Sequence, residues 1–152
     1  MIFQVRQGVF ETNSSSTHTL TICSKDDFDK WKHGEVFWLD NDWHKLDTNK
    51  NFVTPEELEE LTEKYNEEEQ KRIDSGDEFA KVLDIDKVLN ERRDYNSYYD
   101  SYWDTERSSL EAYTMDDWYA HARNGDLETY SRSFTSPSGD EMVAFGAFGY
   151  NG

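Results

Sequence analysis

The segments ETYSRSFT (Glu128–Thr135), SPSGD (Ser136–Asp140) and EMVAFGAF (Glu141–Phe148) read together as a β-hairpin. Two β-prone flanks rich in Thr, Tyr, Phe and Val enclose a cluster of turn-forming Ser, Pro and Gly. Gly146 and Gly149 stand among aromatics, which predicts a close backbone approach or a bulge. Residues 2–23 are the counterpart at the other end. Ile2, Val5, Val9 and Phe10 come first, and then Leu20 and Ile22 alternate with Thr19 and Thr21. The polar run Thr12–Thr17 between them predicts a loop. Strands at both ends with helices between them predict an α+β fold. In it, the N-terminal strands and the C-terminal hairpin share one small mixed sheet beside a helical middle region. A chain of 152 residues without repeats or an evident linker fits a single domain, 1–152.

The helical middle announces itself most clearly at Thr54-Pro55-Glu56-Glu57. Thr54 can cap, Pro55 suits the first helical position, and Glu57 can reach back to the cap. This helix should run to about Ile73 and stop near Ser75-Gly76. Its apolar stripe, Leu58, Leu61 and Tyr65, is narrow, so most of its surface should face water. Ser24 should cap a shorter helix that presents Phe28 and Trp31 and stops at Gly34. Glu35–Leu39 is β-prone, and Asn41-Asp42 marks a turn. A further helix is expected from Asp77 or Glu78 to about Arg93, with Phe79, Val82, Leu83, Ile85, Val88 and Leu89 as a broad core face. Tyr95, Tyr98, Tyr99, Tyr102 and Trp103 follow at helical spacing. Thr114-Met-Asp-Asp117 opens a last helix ending at Gly125.

Composition bounds the function. Only 35 % of residues are apolar, but 15 % are aromatic, which predicts an aromatic-rich core rather than disorder. Cys23 is the sole cysteine, so neither an intrachain disulfide nor a Cys-based zinc site can form. Together with a Met1–Gln7 segment unlike a signal peptide, this predicts a cytoplasmic protein. No apolar stretch is long enough to span a bilayer. The net charge of −17, from 33 acidic and 16 basic residues, argues against direct contact with nucleic acid or an anionic membrane. It favours a basic partner.

Candidate chemistry is sparse. The four histidines, His18, His33, His44 and His121, lack helical metal-ligand spacing, and Asp84-Ile-Asp86 is too short for a calcium loop. No cofactor and no catalytic residue is expected. Ser14, Ser15, Ser16 and His18, with Arg6, form an alternative site for a phosphate or nucleotide; equally, such a run can be a turn that bonds its own backbone. The sharper signal is acidic. Glu56, Glu57, Glu59, Glu60, Glu63, Glu67, Glu68, Glu69, Asp74, Asp77 and Glu78 face only Lys64, Lys71 and Arg72, so eleven acids against three bases leave −8. The helix dipole explains acids in the first turn but not Glu67–Glu69. A solvated helix face is one account of this charge. A surface imitating a nucleic-acid backbone is the other. The expected partner-binding set is Glu56, Glu59, Glu60, Glu63, Glu67, Glu68, Glu69, Asp74 and Asp77, joined by Asp94, Tyr98, Tyr99, Asp100, Tyr102 and Asp104. Tyr and Trp are favoured interface anchors, although the stripe could equally be core.

The run RQGVFETNSSSTH (Arg6–His18) resembles the opening of a family of small proteins from phages and prophages of low-GC Gram-positive bacteria. TSPSGDEMVAFGAFGY (Thr135–Tyr150) resembles that family's ending. The resemblance implies a phage-related origin and carries over no catalytic residue. Small acidic phage proteins include inhibitors of host defence, some of them DNA mimics. By that analogy of class, the expected function is anti-CRISPR inhibition: binding a basic nucleic-acid-binding host protein, a CRISPR effector in particular, at its PAM-reading or nucleic-acid channel. Two alternatives stand beside it. One is a ligand-binding protein or enzyme using the Ser14–His18 loop, and the other is a self-associating phage accessory module.

Overall fold

A computed structural model of the chain describes residues 3–8, 16–40, 44–92, 103, 105–124 and 126–150. The fold is α+β. Seven strands are described: β1 (Phe3–Gly8), β2 (Ser16–Ser24), β3 (Phe37–Leu39), β4 (Phe52–Val53), β5 (Ala112–Tyr113), β6 (Glu128–Thr135) and β7 (Glu141–Tyr150). The helices are α1 (Lys25–Lys32), α2 (Pro55–Asp74), α3 (Ile85–Asn90) and α4 (Met115–Asn124), with a short 3-10 helix at Glu106–Leu110. The larger sheet runs β1-β2-β7-β6 and the smaller β4-β3-β5, and every described pairing is antiparallel. The terminal strands thus share a sheet as expected, and β6 and β7 form the hairpin around Ser136–Asp140.

Strand β3 organises the interior. Side chains alternate across a strand, so Trp38 points one way while Phe37 and Leu39 point the other. Trp38 joins a core of Cys23, Trp31, Val36, Tyr113, Trp118, Ala122, Val143, Phe145 and Ala147 beneath the larger sheet. Phe37 and Leu39 join a second core with Leu46, Val53, Leu58, Leu83, Val88, Leu110 and Ala112. The first core is aromatic: the rings of Trp31 and Phe145 lie 5.1 Å apart, and those of Trp118 and Phe145 5.5 Å. Helix α1 reaches this core because Ser24 caps it, accepting from the Asp27 amide at 3.1 Å. Trp31 Nε1 then donates to the Tyr113 carbonyl and ties α1 to β5. Burial raises the Cys23 thiol to about 12.

Where β2 meets β7 the ladder is interrupted. Register holds at His18↔Phe148 and resumes at Thr21↔Phe145. Between them, Thr19 Oγ1 accepts from the Ala147 amide at 3.0 Å, and the Tyr130 hydroxyl donates to the Thr19 carbonyl at 2.6 Å. Tyr130 sits opposite Gly146. A Cβ at Gly146 would lie 2.0 Å from the Thr19 oxygen, so only glycine admits this arrangement. The expected close backbone approach is therefore real.

One helix expectation needs correction. The predicted Asp77–Arg93 helix is reduced to Ile85–Asn90. Residues 77–84 are irregular, and Phe79, expected in the core, is 85 % exposed; Val82 is exposed too. Leu83 and Val88 are buried as expected. The physical reason is competition for backbone amides. Asp77 Oδ1 takes the Phe79 amide, Glu69 takes the Lys81 amide, and Asn66 bonds both the amide and the carbonyl of Leu83. Asp84 then caps α3. Side chains thus supply partners that a continuous helix would have supplied.

Candidate acidic interface

Helix α2 forms where its sequence signals it. Thr54 Oγ1 accepts from the Glu57 amide at 3.2 Å, and Glu57 returns the bond to the Thr54 amide. Gly76, in the left-handed region at φ +97°, ends the helix beyond Ser75. Leu58 is buried, with Leu61 and Tyr65 half-buried against the second core. At 3.6 residues per turn, Glu56, Glu59, Glu60, Glu63, Glu67 and Asp74 fall on the opposite face. From Glu56 to Asp74 this stripe spans about 27 Å.

The acids of this segment divide into two groups. Glu57 pairs with Lys50, Glu68 with Lys71, and Asp77 with Arg72; Asp74 accepts from Gln70. The hydrogen bond from Lys50 holds the Glu57 carboxyl below its ordinary value, and the Phe79 amide, with Arg72 second, does the same for Asp77. By contrast, Glu56, Glu59, Glu60, Glu63 and Glu67 are exposed and have no ion pair among the described residues. Glu69 does not belong on a binding surface. It is 7 % exposed, its Oε1 accepts from Arg72 Nη1 at 2.7 Å, and its Oε2 accepts from the Lys81 amide at 3.0 Å. Helical geometry turns position 69 toward the core side, which a run of three glutamates conceals.

The other expected sites fare differently. Asp94, Tyr98, Tyr99, Asp100, Tyr102 and Asp104 lie outside the described residues, as do Ser14, Ser15 and the Asn41-Asp42 turn. Of the aromatic stripe, Trp103 is described; it is exposed, with its ring 5.1 Å from that of His121. Ser16 begins β2. In register, Arg6 pairs with Thr19 and His18 with Gln7. His18 is exposed, with Nε2 3.3 Å from the Tyr130 hydroxyl and its ring against Phe148.

Sequence reasoning missed a polar cleft of ≈ 330 Å³ between α1, α3, the 3-10 helix and α4. At its floor, Arg107 and Asp117 are both buried and joined at 2.9 Å. Arg107 also donates to the Val88 carbonyl and lies over the Phe37 ring. Asp117 accepts from the Thr114 amide as well. The Thr114–Asp117 pattern signals the helix start but not the arginine that buries there, because Arg107 has no local periodic context. Among the described residues no cluster of His, Cys, Asp and Glu could hold a metal ion, and no helix is long and apolar enough to cross a membrane.

Among the described residues, these features define an α+β protein with two antiparallel sheets and an exposed acidic helix face without ion pairs. A family model described as N-6 DNA Methylase matches residues 1–111, and the chain belongs to that family. No curated protein and no solved structure matches it. A methylase needs a site for a methyl donor. The described pairings are all antiparallel, so they offer no crevice at the carboxyl ends of parallel strands, where nucleotide-like cofactors are held. The sequence has no Gly-x-Gly-x-x-Gly loop. The charged groups at the floor of the cleft already bond each other. The described residues therefore do not fit a methyl donor.

Proposed function

We propose that the protein is an inhibitor that presents the α2 stripe to a basic nucleic-acid-binding protein in place of nucleic acid. The observation that supports this is the run of exposed Glu56, Glu59, Glu60, Glu63 and Glu67 on one face, with no ion pair among the described residues. Apart from the neighbours Glu59 and Glu60, successive members stand three or four residues apart, and like charges at those spacings destabilise a helix by about 0.2–0.5 kcal/mol per pair. A cationic groove would relieve that repulsion, and long-range attraction would speed encounter. In its finer form the proposal is of a phage-encoded anti-CRISPR protein acting on the channel or PAM-reading arginines of a Cas effector, a surface already built for phosphates and base edges.

The test is binding to a purified Cas effector at low and high salt, with wild type and the Glu60→Lys/Glu63→Lys/Glu67→Lys variant. Tight binding at low salt that weakens with added salt, and falls at least tenfold in the variant, is expected. No binding at low salt, or indifference to the reversals, would sink the proposal. The family match favours a second reading, adenine N6 methylation of DNA. Incubation with labelled S-adenosylmethionine and duplex DNA separates the two, since methyl transfer to adenine would replace the inhibitor reading.

A further inference from the structure

Strand β6 is the last in its sheet: β7 pairs with one side, and no described strand pairs with the other. Its eight residues contain neither proline nor lysine, two of the devices that blunt an exposed edge. Glu128 and Arg132 on this strand are both exposed, and neither side chain has an ion pair or hydrogen bond among the described residues. Standing four apart, they share one face with Tyr130 between them.

We propose that β6 pairs antiparallel with β6 of a second copy about a twofold axis at Tyr130, making the larger sheet continuous across both chains. A twofold perpendicular to the sheet keeps like faces together, so the register follows from side-chain chemistry. An axis at Arg132 or at Glu128 sets that charge against its own copy. An axis at Ser131 places Glu128 opposite Phe134. An axis at Tyr130 places Glu128 opposite Arg132 of the second copy, twice over, and Thr129 opposite Ser131. Opposite charges and Thr–Ser pairs are the favourable cross-strand combinations. Tyr130 itself is held by its bond to the Thr19 carbonyl, so the centre of the contact is preformed. The contact is small, and the dimer is accordingly weak and concentration-dependent.

Sedimentation equilibrium of the full chain from micromolar to millimolar concentration tests this, with circular dichroism verifying the fold of each variant. Wild type should pass from monomer to dimer. Glu128→Arg and Arg132→Glu, each alone, set like charges face to face and should weaken dimerisation by about tenfold or more. An equimolar mixture of the two variants restores both opposite-charge pairs and should recover a heterodimer. A wild type that stays monomeric throughout, a dimer that neither reversal weakens, or a mixture that fails to recover association overturns the proposal. None of these outcomes depends on the acidic face of α2.

Discussion

Gly146 shows how much one missing side chain can hold. Its bare Cα lets Tyr130 cross the strand and lets the Tyr130 hydroxyl replace a ladder bond at Thr19. Gly146→Ala should therefore lower stability by about 2 kcal/mol or more, because the added carbon meets backbone that cannot rotate away. Tyr130→Phe should cost only about 1 kcal/mol, the worth of one hydrogen bond. Urea midpoints of the two variants check the order; a Gly146→Ala variant no less stable than Tyr130→Phe would refute the steric account. A glycine among aromatics is legible as a point of close approach. Its distant partner, Thr19, is not, since nothing local in the sequence links positions so far apart. The same holds for Arg107, whose buried partner Asp117 belongs to another element.

Helices α1, α2 and α4 carry their own start signals, and those signals were legible: Ser24, Thr54 and Thr114 each cap where expected. The segment after α2 reads as a helix because its apolar spacing suits one, while side chains on α2 offer its amides other partners. Asn66 is the clearest of these, bonding both backbone groups of Leu83 at 2.8 and 2.9 Å. Asn66→Ala should strip two partly buried groups at once and destabilise the protein by about 1–3 kcal/mol. Hydrogen exchange at the Leu83 amide should accelerate well beyond exchange in β7. Unchanged protection at Leu83 would mean that other contacts set the path of residues 77–84. Amphipathic spacing thus revealed which residues bury, Leu83 and Val88, better than it revealed the backbone that carries them.

For the molecule as a whole, acidity is both a surface property and a source of pH dependence. The carboxyls of Asp29, held down by the hydrogen bond from Lys25, and of Glu57, held down by that from Lys50, bind protons less readily folded than unfolded. The unfolded chain then takes up more protons on acidification, so their contribution is complete above the ordinary value and lost as pH falls through the lower folded one. Wild type should exceed Glu57→Gln in urea midpoint near neutrality, and the gap should close as pH drops from the ordinary Glu57 value of 4.5 toward about pH 3. A gap that persists at low pH would assign the effect to packing instead. Terminal strands, helical middle and acidic face were all readable from composition and periodicity; the division into two cores was not, since it depends on three residues of β3 facing alternate ways. That strand has an optical consequence. Trp38 lies 6.1 Å from Trp31, which lies 5.9 Å from Trp118, so three indoles form one tight chromophore cluster. Their neighbours Phe37 and Leu39 grip the layer that carries α2. The fluorescence of these indoles is therefore a native probe of how the aromatic core beneath the larger sheet packs.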